Sequence, residues 1–369
     1  MTARPDAVVR SMRVAAYRIP TDAPEADGTF QWEATTLVVV QIEAGGKTGL
    51  GYTYADASLV QLIEEHFRDL LEGADAFAIG QINERLWASV RNLGRSGLAA
   101  CAISAVDTAL WDLKARLLDM PLVKLLGVRR EHLAVYGSGG FTCYDDGRLR
   151  EQLSQWVQED GCRWVKMKIG ADSLRDAVRV RAARQAIGDA GLFIDANGAH
   201  TPRSAIAFAH RIAEQQVGWF EEPVSSDDLA GLRQVREALG ASGQAMDVAA
   251  GEYAYTPDDF RRLAEHGSVD VLQADLTRCG GVSGFLQAAG LCEAFHLDLS
   301  AHCAPALHLH VCCAAPRVRH QEWFHDHVRL ESMLFDGAPQ LENGQIAPDL
   351  TRPGHGLTLR EADARRYAI

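Results

Sequence analysis

The fold class this sequence predicts is α/β: a (β/α)7β modified TIM barrel, capped by an α+β domain on its N-terminal side. Three observations predict it. From Lys166 to Glu322, ionisable residues close successive apolar strands at intervals of 20 to 31 residues, about the length of a strand, loop, helix and return loop. From about residue 133, strand-like and helical stretches alternate, as a parallel sheet requires. Before that, strands come first and helices afterwards, the order of a separate α+β unit. The cap is assigned to residues 1–130, completed by about 346–369, and the barrel to residues 131–345.

In the cap, MRVAAYRIP and ATTLVVVQIEA read as strands, and TGLGYTYA follows a turn at Gly45–Gly46. Between the first two, TDAPEADGTFQW (residues 21–32) reads as a polar, mobile loop. Two stretches with helical apolar spacing follow, SLVQLIEEHFRDLLEG and GLAACAISAVDTALWDLKARLL. The second is small and apolar on most faces, so burial is expected. The barrel strands are LAVYGSGG, RWVKMKIG, LFIDANG, GWFEEP, DVAAGE, VDVLQADL, LDLSAHC and HQEWF. Helical patterns separate them; in TPRSAIAFAHRIAEQQ, Pro202 suits the first turn. Eight strands and seven helices make (β/α)7β rather than a full eightfold repeat. The tail, with PGHGLTLR, returns to the cap.

Composition narrows the function. With 369 residues, 47% hydrophobic and 23% charged, the chain is long enough for two ordinary domains of a soluble protein. Its net charge is −12 and no basic block appears, which argues against a nucleic-acid partner. No apolar run approaches the ~18 residues of a membrane span. The opening MTARPDAVVRSMRVAAYRIP lacks a signal peptide's apolar stretch, and Met12 offers an alternative start to Met1. Eight cysteines without zinc spacing suit reduced thiols in a cytoplasm. A homo-oligomer is the expected form.

Asp195, Glu221 and Glu252 end consecutive strands and supply only oxygen ligands, which suits a hard ion such as Mg²⁺. Any one of them alone reads equally well as a strand-end charge or helix cap. Lys166 and Lys168, two apart on one strand, point to the same face. Their mutual repulsion is expected to depress an ammonium pKa toward that of a general base. Asp275 and His302 read as a carboxylate–imidazole dyad across neighbouring strands. Glu322 is the weakest member, since EW at a strand end is common.

In order, KMKIG, DANG, WFEEP, AGE, QADLTRCGGVSG, SAHC and QEW resemble the strand-end motifs of the enolase superfamily, most of all its mandelate racemase subgroup. The resemblance spans nearly the whole chain. It implies that Asp195, Glu221 and Glu252 bind Mg²⁺, that Lys168 is a base on one face of the substrate, and that the His302–Asp275 dyad works on the other. It implies that Lys166 contacts the substrate carboxylate, that a protonated Glu322 donates to the enolate oxygen, and that Asn197 touches substrate. The muconate cycloisomerase subgroup carries a lysine on the sixth strand, where this chain has Asp275, and is disfavoured.

Such a set removes the proton α to a carboxylate, and what His302 does next decides the reaction. Returning a proton to the opposite face gives racemisation or epimerisation of a 2-hydroxy or amino acid. Protonating a departing β-hydroxyl gives dehydration of a sugar acid, an aldonate or aldarate, to a 2-keto-3-deoxy acid. The polar loop at 21–32 favours a polyol and hence dehydration. His325, His327 and Arg329, just past the last strand, are candidates for a polyol or a distal carboxylate, and Tyr54 for a pocket wall. A non-catalytic metal-binding relic would need neither Lys168 nor His302.

Overall fold

The computed structural model describes residues 6–369; Met1 lies outside the described residues. Three antiparallel strands open the chain: β1 (Val9–Ala26), β2 (Gln31–Ala44) and β3 (Lys47–Tyr54). Gly45 and Gly46 make the β2–β3 turn with φ of 55° and 72°, a conformation that costs glycine nothing. Met12 sits inside β1, paired with Ile42. Period-two alternation puts Val38, Val40 and Ile42 in one core with the cap helices, and Leu37 and Val39 in the other with the barrel.

The buried helix Leu98–Leu117 lies on this sheet, as its small apolar faces led us to expect. Glycine makes the contact possible. A Cβ on Gly49 would come within 2.2 Å of the Ala109 oxygen, and one on Gly51 within 2.1 Å of the Ala105 oxygen. Small residues on the helix and none on the strand bring the two backbones together.

The expected loop at 21–32 is instead mostly strand. β1 continues to Ala26 and β2 begins at Gln31, with Glu25 opposite Trp32 and a register shift after Pro20. The shift absorbs the two prolines, which hid the strand pattern. Only residues 27–30 turn, and Asp27 Oδ1 locks them by accepting from Thr29 N (2.6 Å) and Phe30 N (2.7 Å).

The barrel strands are β4 (Leu133–Gly139), β5 (Trp164–Lys168), β6 (Gly191–Asp195), β7 (Val217–Glu221), β8 (Asp247–Ala250), β9 (Val271–Ala274), β10 (Asp298–Ala301) and β11 (Val318–Phe324). All run parallel in that order, and β11 closes onto β4 with Glu322 opposite Tyr136. Seven helices cross between them; Thr201 caps the one beginning at Pro202 through a capping box. An eighth helix, His325–Leu334, follows β11 without a turn, where the strand-and-helix count stopped at seven. Beneath the mouth, Tyr136, Phe193, Trp219 and His320 fill the barrel's centre.

The tail runs back to the cap. Ile369 N donates to Ala16 O, and His355 sits between Leu50 O (2.7 Å) and Asp112. No helix among the described residues is long and apolar enough to cross a membrane.

Candidate active site

Sheet register brings the charges together. Lys168 lies opposite Asp195 on the next strand, and Asp195 opposite Glu221 on the one after. Their side chains therefore leave the barrel at one level. Asp195, Glu221 and Glu252 are all buried, and one oxygen from each falls within 4.8 Å of the others. Glu252 Oε2 lies 3.0 Å from His302 Nε2, yet off the ring's donor direction, so it accepts no hydrogen bond. Three converging anionic oxygens, one of them without a donor, fit a divalent ion bound through carboxylates.

The two lysines are not mutually depressed as expected. Lys166 Nζ donates to Glu221 Oε1 (2.6 Å) and lies 2.8 Å from Glu322; Lys168 donates to Asp195. Burial works against both ammonium groups, but these carboxylates outweigh it and hold each pKa above the ordinary lysine value.

His302 and Asp275 form the expected dyad, Nδ1 to Oδ2 at 2.8 Å. Thr277 fixes the other carboxylate oxygen through N and Oγ1, both at 2.7 Å. A carboxylate only accepts, so Nδ1 carries the proton and Nε2 faces the cavity. Burial would lower the imidazole's pKa; Glu252, Glu322 and Asp275 reverse that and raise it well above normal.

Glu322 is better anchored than its sequence context suggests. It accepts from Ser138 Oγ (2.5 Å) and Cys303 N (2.9 Å). Burial pushes its pKa up, but Lys166, His302 and Lys168 pull it below the carboxylate range. In this arrangement Glu322 is an acceptor, contrary to its expected role as a protonated donor. Asn197, Glu222, Cys303 and Ala304 follow strand ends at φ of 45°, 35°, 50° and 40°, left-handed conformations that cluster around the site.

Above these residues lies a cavity of about 600 Å³, reached by Lys168, Asn197, Glu252, His302 and Glu322 from below. Tyr54 and His327 both line it, stacked with ring centres 3.5 Å apart. His325 and Arg329 do not line it. His325 Nε2 pairs with Asp22 (3.0 Å), and Arg329 bonds buried Asp326 and the Pro20 oxygen. Helical geometry explains this: on His325–Leu334, residues two and four positions apart cannot all face one way, and His327 takes the inward one.

Sequence reading missed Arg278, which donates to the Glu252 backbone oxygen (3.0 Å) and stacks over Tyr253. Its place three residues beyond Asp275 was the available signal. It also missed Trp32 and Phe30, which line the cavity from the hairpin taken for a polar loop.

Residues 11–127 match the model of the mandelate racemase / muconate lactonizing enzyme N-terminal domain, and residues 148–363 match the enolase C-terminal domain-like model. The chain is 34% identical to 3,6-anhydro-alpha-L-galactonate cycloisomerase of Streptomyces coelicolor, over 98% of this chain and 100% of that one. It is 31% identical to L-talarate/galactarate dehydratase of Salmonella typhimurium, over 90% and 82%. Among solved structures, a racemase from Streptomyces coelicolor A3(2) with bound magnesium superimposes with a TM-score of 0.92 at 32% identity, covering 98% of this chain and 100% of that one. The strand-end constellation, the closed barrel and the cap thus have one origin: the chain belongs to the enolase superfamily, in its mandelate racemase subgroup.

Proposed function

We propose that this protein is a Mg²⁺-dependent dehydratase that converts a sugar acid to its 2-keto-3-deoxy acid. One observation carries the reading: Lys168 and His302, the latter held by Asp275, line the same cavity as Glu252, beside the buried carboxylates Asp195 and Glu221. The similarity to a sugar-acid dehydratase and to a magnesium-bound neighbour supports it.

Asp195, Glu221 and Glu252 would hold the ion. When bound there, Mg²⁺ supplies positive charge that balances the three carboxylates and polarises a substrate carboxylate. Asp195, the carboxylate that holds the proton on Lys168, would be engaged by the ion, and Lys168, freed of it, would take the α-proton in its neutral form. Lys166 offers positive charge where the substrate's carboxylate becomes an enediolate. His302, kept protonated by Asp275, gives its Nε2 proton to the departing β-hydroxyl, which leaves as water. The resulting enol then tautomerises to the 2-keto acid. Asn197 and Tyr54 contact the substrate chain.

Racemisation by the same two groups is the second reading, supported by the racemase among the neighbours. Incubating aldonates and aldarates with the magnesium-loaded protein separates them. Appearance of a 2-keto acid supports dehydration. Loss of optical activity, or a stereoisomer without any keto acid, would replace it with racemisation or epimerisation.

A further inference from the structure

Cationic side chains reach the cavity at one end only. Among the described residues lining it, the cationic side chains are Lys168 and Arg278, with the imidazoles of His302 and His327. Lys168 bonds Asp195, and Arg278 lies 3.7 Å from Asp275, so both belong to the barrel floor. His327 is stacked against Tyr54, and burial pushes its pKa down to about 3, leaving it neutral.

The roof is different. It presents Asp27, Asp56, Thr35, Thr36, Trp32 and Tyr54. Each aspartate spends Oδ1 on its own turn: Asp27 on Thr29 N and Phe30 N, Asp56 on Ser58 N (2.9 Å). Oδ2 of each has no hydrogen-bond partner among the described residues. Arg329, the cation expected to meet a distal carboxylate, is tied to Asp326 outside the cavity.

We infer that the site selects sugar acids with a single carboxylate, aldonates, over aldarates, which carry one at each end. The inference rests on the sugar-acid reading above. A substrate whose reacting carboxylate lies on the floor extends its other end toward the roof. There a second carboxylate meets two like charges and no cation, whereas a terminal hydroxyl meets the Thr36 hydroxyl and carboxylate acceptors. Negative charge at the roof acts here as discrimination against diacids.

The test is titration calorimetry on the magnesium-loaded protein with matched pairs: gluconate and glucarate, galactonate and galactarate, arabinonate and arabinarate. Keto-acid formation is followed in parallel. The aldonate of the tightest pair is expected to bind at least about tenfold better. Asp27→Asn with Asp56→Asn keeps both turn acceptors while removing the charges, and should narrow that ratio about fivefold or more. An aldarate that binds better than its aldonate, an unchanged ratio in the double variant, or no binding by any pair would overturn the inference. Keto acid formed faster from aldarates would sink it while leaving the dehydratase reading intact. Aldonate-selective binding without keto acid would support it and remove dehydration.

Discussion

The barrel floor and the cap roof face each other across one cavity, yet they are held by different means. On the floor, Lys166, Asp195 and Glu221 are fully buried, and Glu322 is 1% exposed with two protein donors fixing it. On the roof, Asp27 and Trp32 are only half buried, and Asp27 bonds mainly to its own turn. Strand ends in register hold chemistry at fixed positions, and a hairpin laid over them can change without disturbing that register. The contrast separates what reacts from what is selected.

The largest effect should come from the floor. Lys168→Ala and His302→Asn should each lower turnover by about a thousandfold or more, within the range of general acid–base catalysis. The two should differ in ²H₂O. Lys168→Ala abolishes α-proton exchange, whereas His302→Asn retains it while no keto acid forms. Asp275→Asn should resemble the histidine change, because its amide no longer orients and charges the imidazole. Turnover by His302→Asn at the wild-type rate would reduce the histidine to a packing residue.

Next comes the ion. Exhaustive chelation should remove activity, and adding Mg²⁺ back should raise the melting temperature in proportion to the logarithm of its concentration. The rise has a physical source: Asp195, Glu221 and Glu252 repel one another, and burial with Asp195 pushes Glu221 up to about 8. Asp195→Asn should shrink the Mg²⁺-dependent shift. A melting temperature indifferent to Mg²⁺ in the wild type would separate these carboxylates from any metal role.

The roof should respond in selectivity and binding. Gly28, at the hairpin tip, sits against the barrel rim; a Cβ there would come 2.5 Å from the Ile169 oxygen and 2.7 Å from that of Ala196. Those residues directly follow Lys168 and Asp195. Gly28→Ala should prop the hairpin off the rim and lower kcat/KM by about ten- to a hundredfold, while the Mg²⁺-dependent rise in melting temperature persists. An unaltered kcat/KM would show that the hairpin need not close.

This contrast also explains what the sequence revealed. Strand ends announce themselves, because an apolar run must stop and the next residue is often charged; Asp195, Glu221, Glu252, Asp275 and His302 were all visible that way. The roof left no such signal. Pro20 and Pro24 concealed strand pairing that depends on a register shift. His327 faces the cavity while His325 and Arg329 do not, a distinction set by the helix that starts at His325. The lysine pair and Glu322 were located correctly, but their charge states depend on partners from four strands that spacing alone does not place.

The smallest predicted effect compares one residue type in both regions. His320 lies in the barrel interior with its ring 4.9 Å from Tyr136 and 5.4 Å from Trp219, and His327 stacks under the roof on Tyr54. Burial pushes both down to about 3 from an ordinary value of 6.5. A depressed folded pKa means the unfolded chain takes up the proton first, so this stability is complete above pH 6.5 and drains away as pH falls toward 3. At pH 5 each histidine should account for about 2 kcal/mol of that loss. His320→Phe and His327→Phe cannot titrate, so thermal melts at pH 7.5, 6 and 5 should show each variant gaining on the wild type as pH falls. Only His327→Phe should also change KM, since only His327 lines the cavity. A KM change of equal size in His320→Phe would mean that the barrel interior, too, shapes the substrate site, and the division between floor and roof would no longer hold.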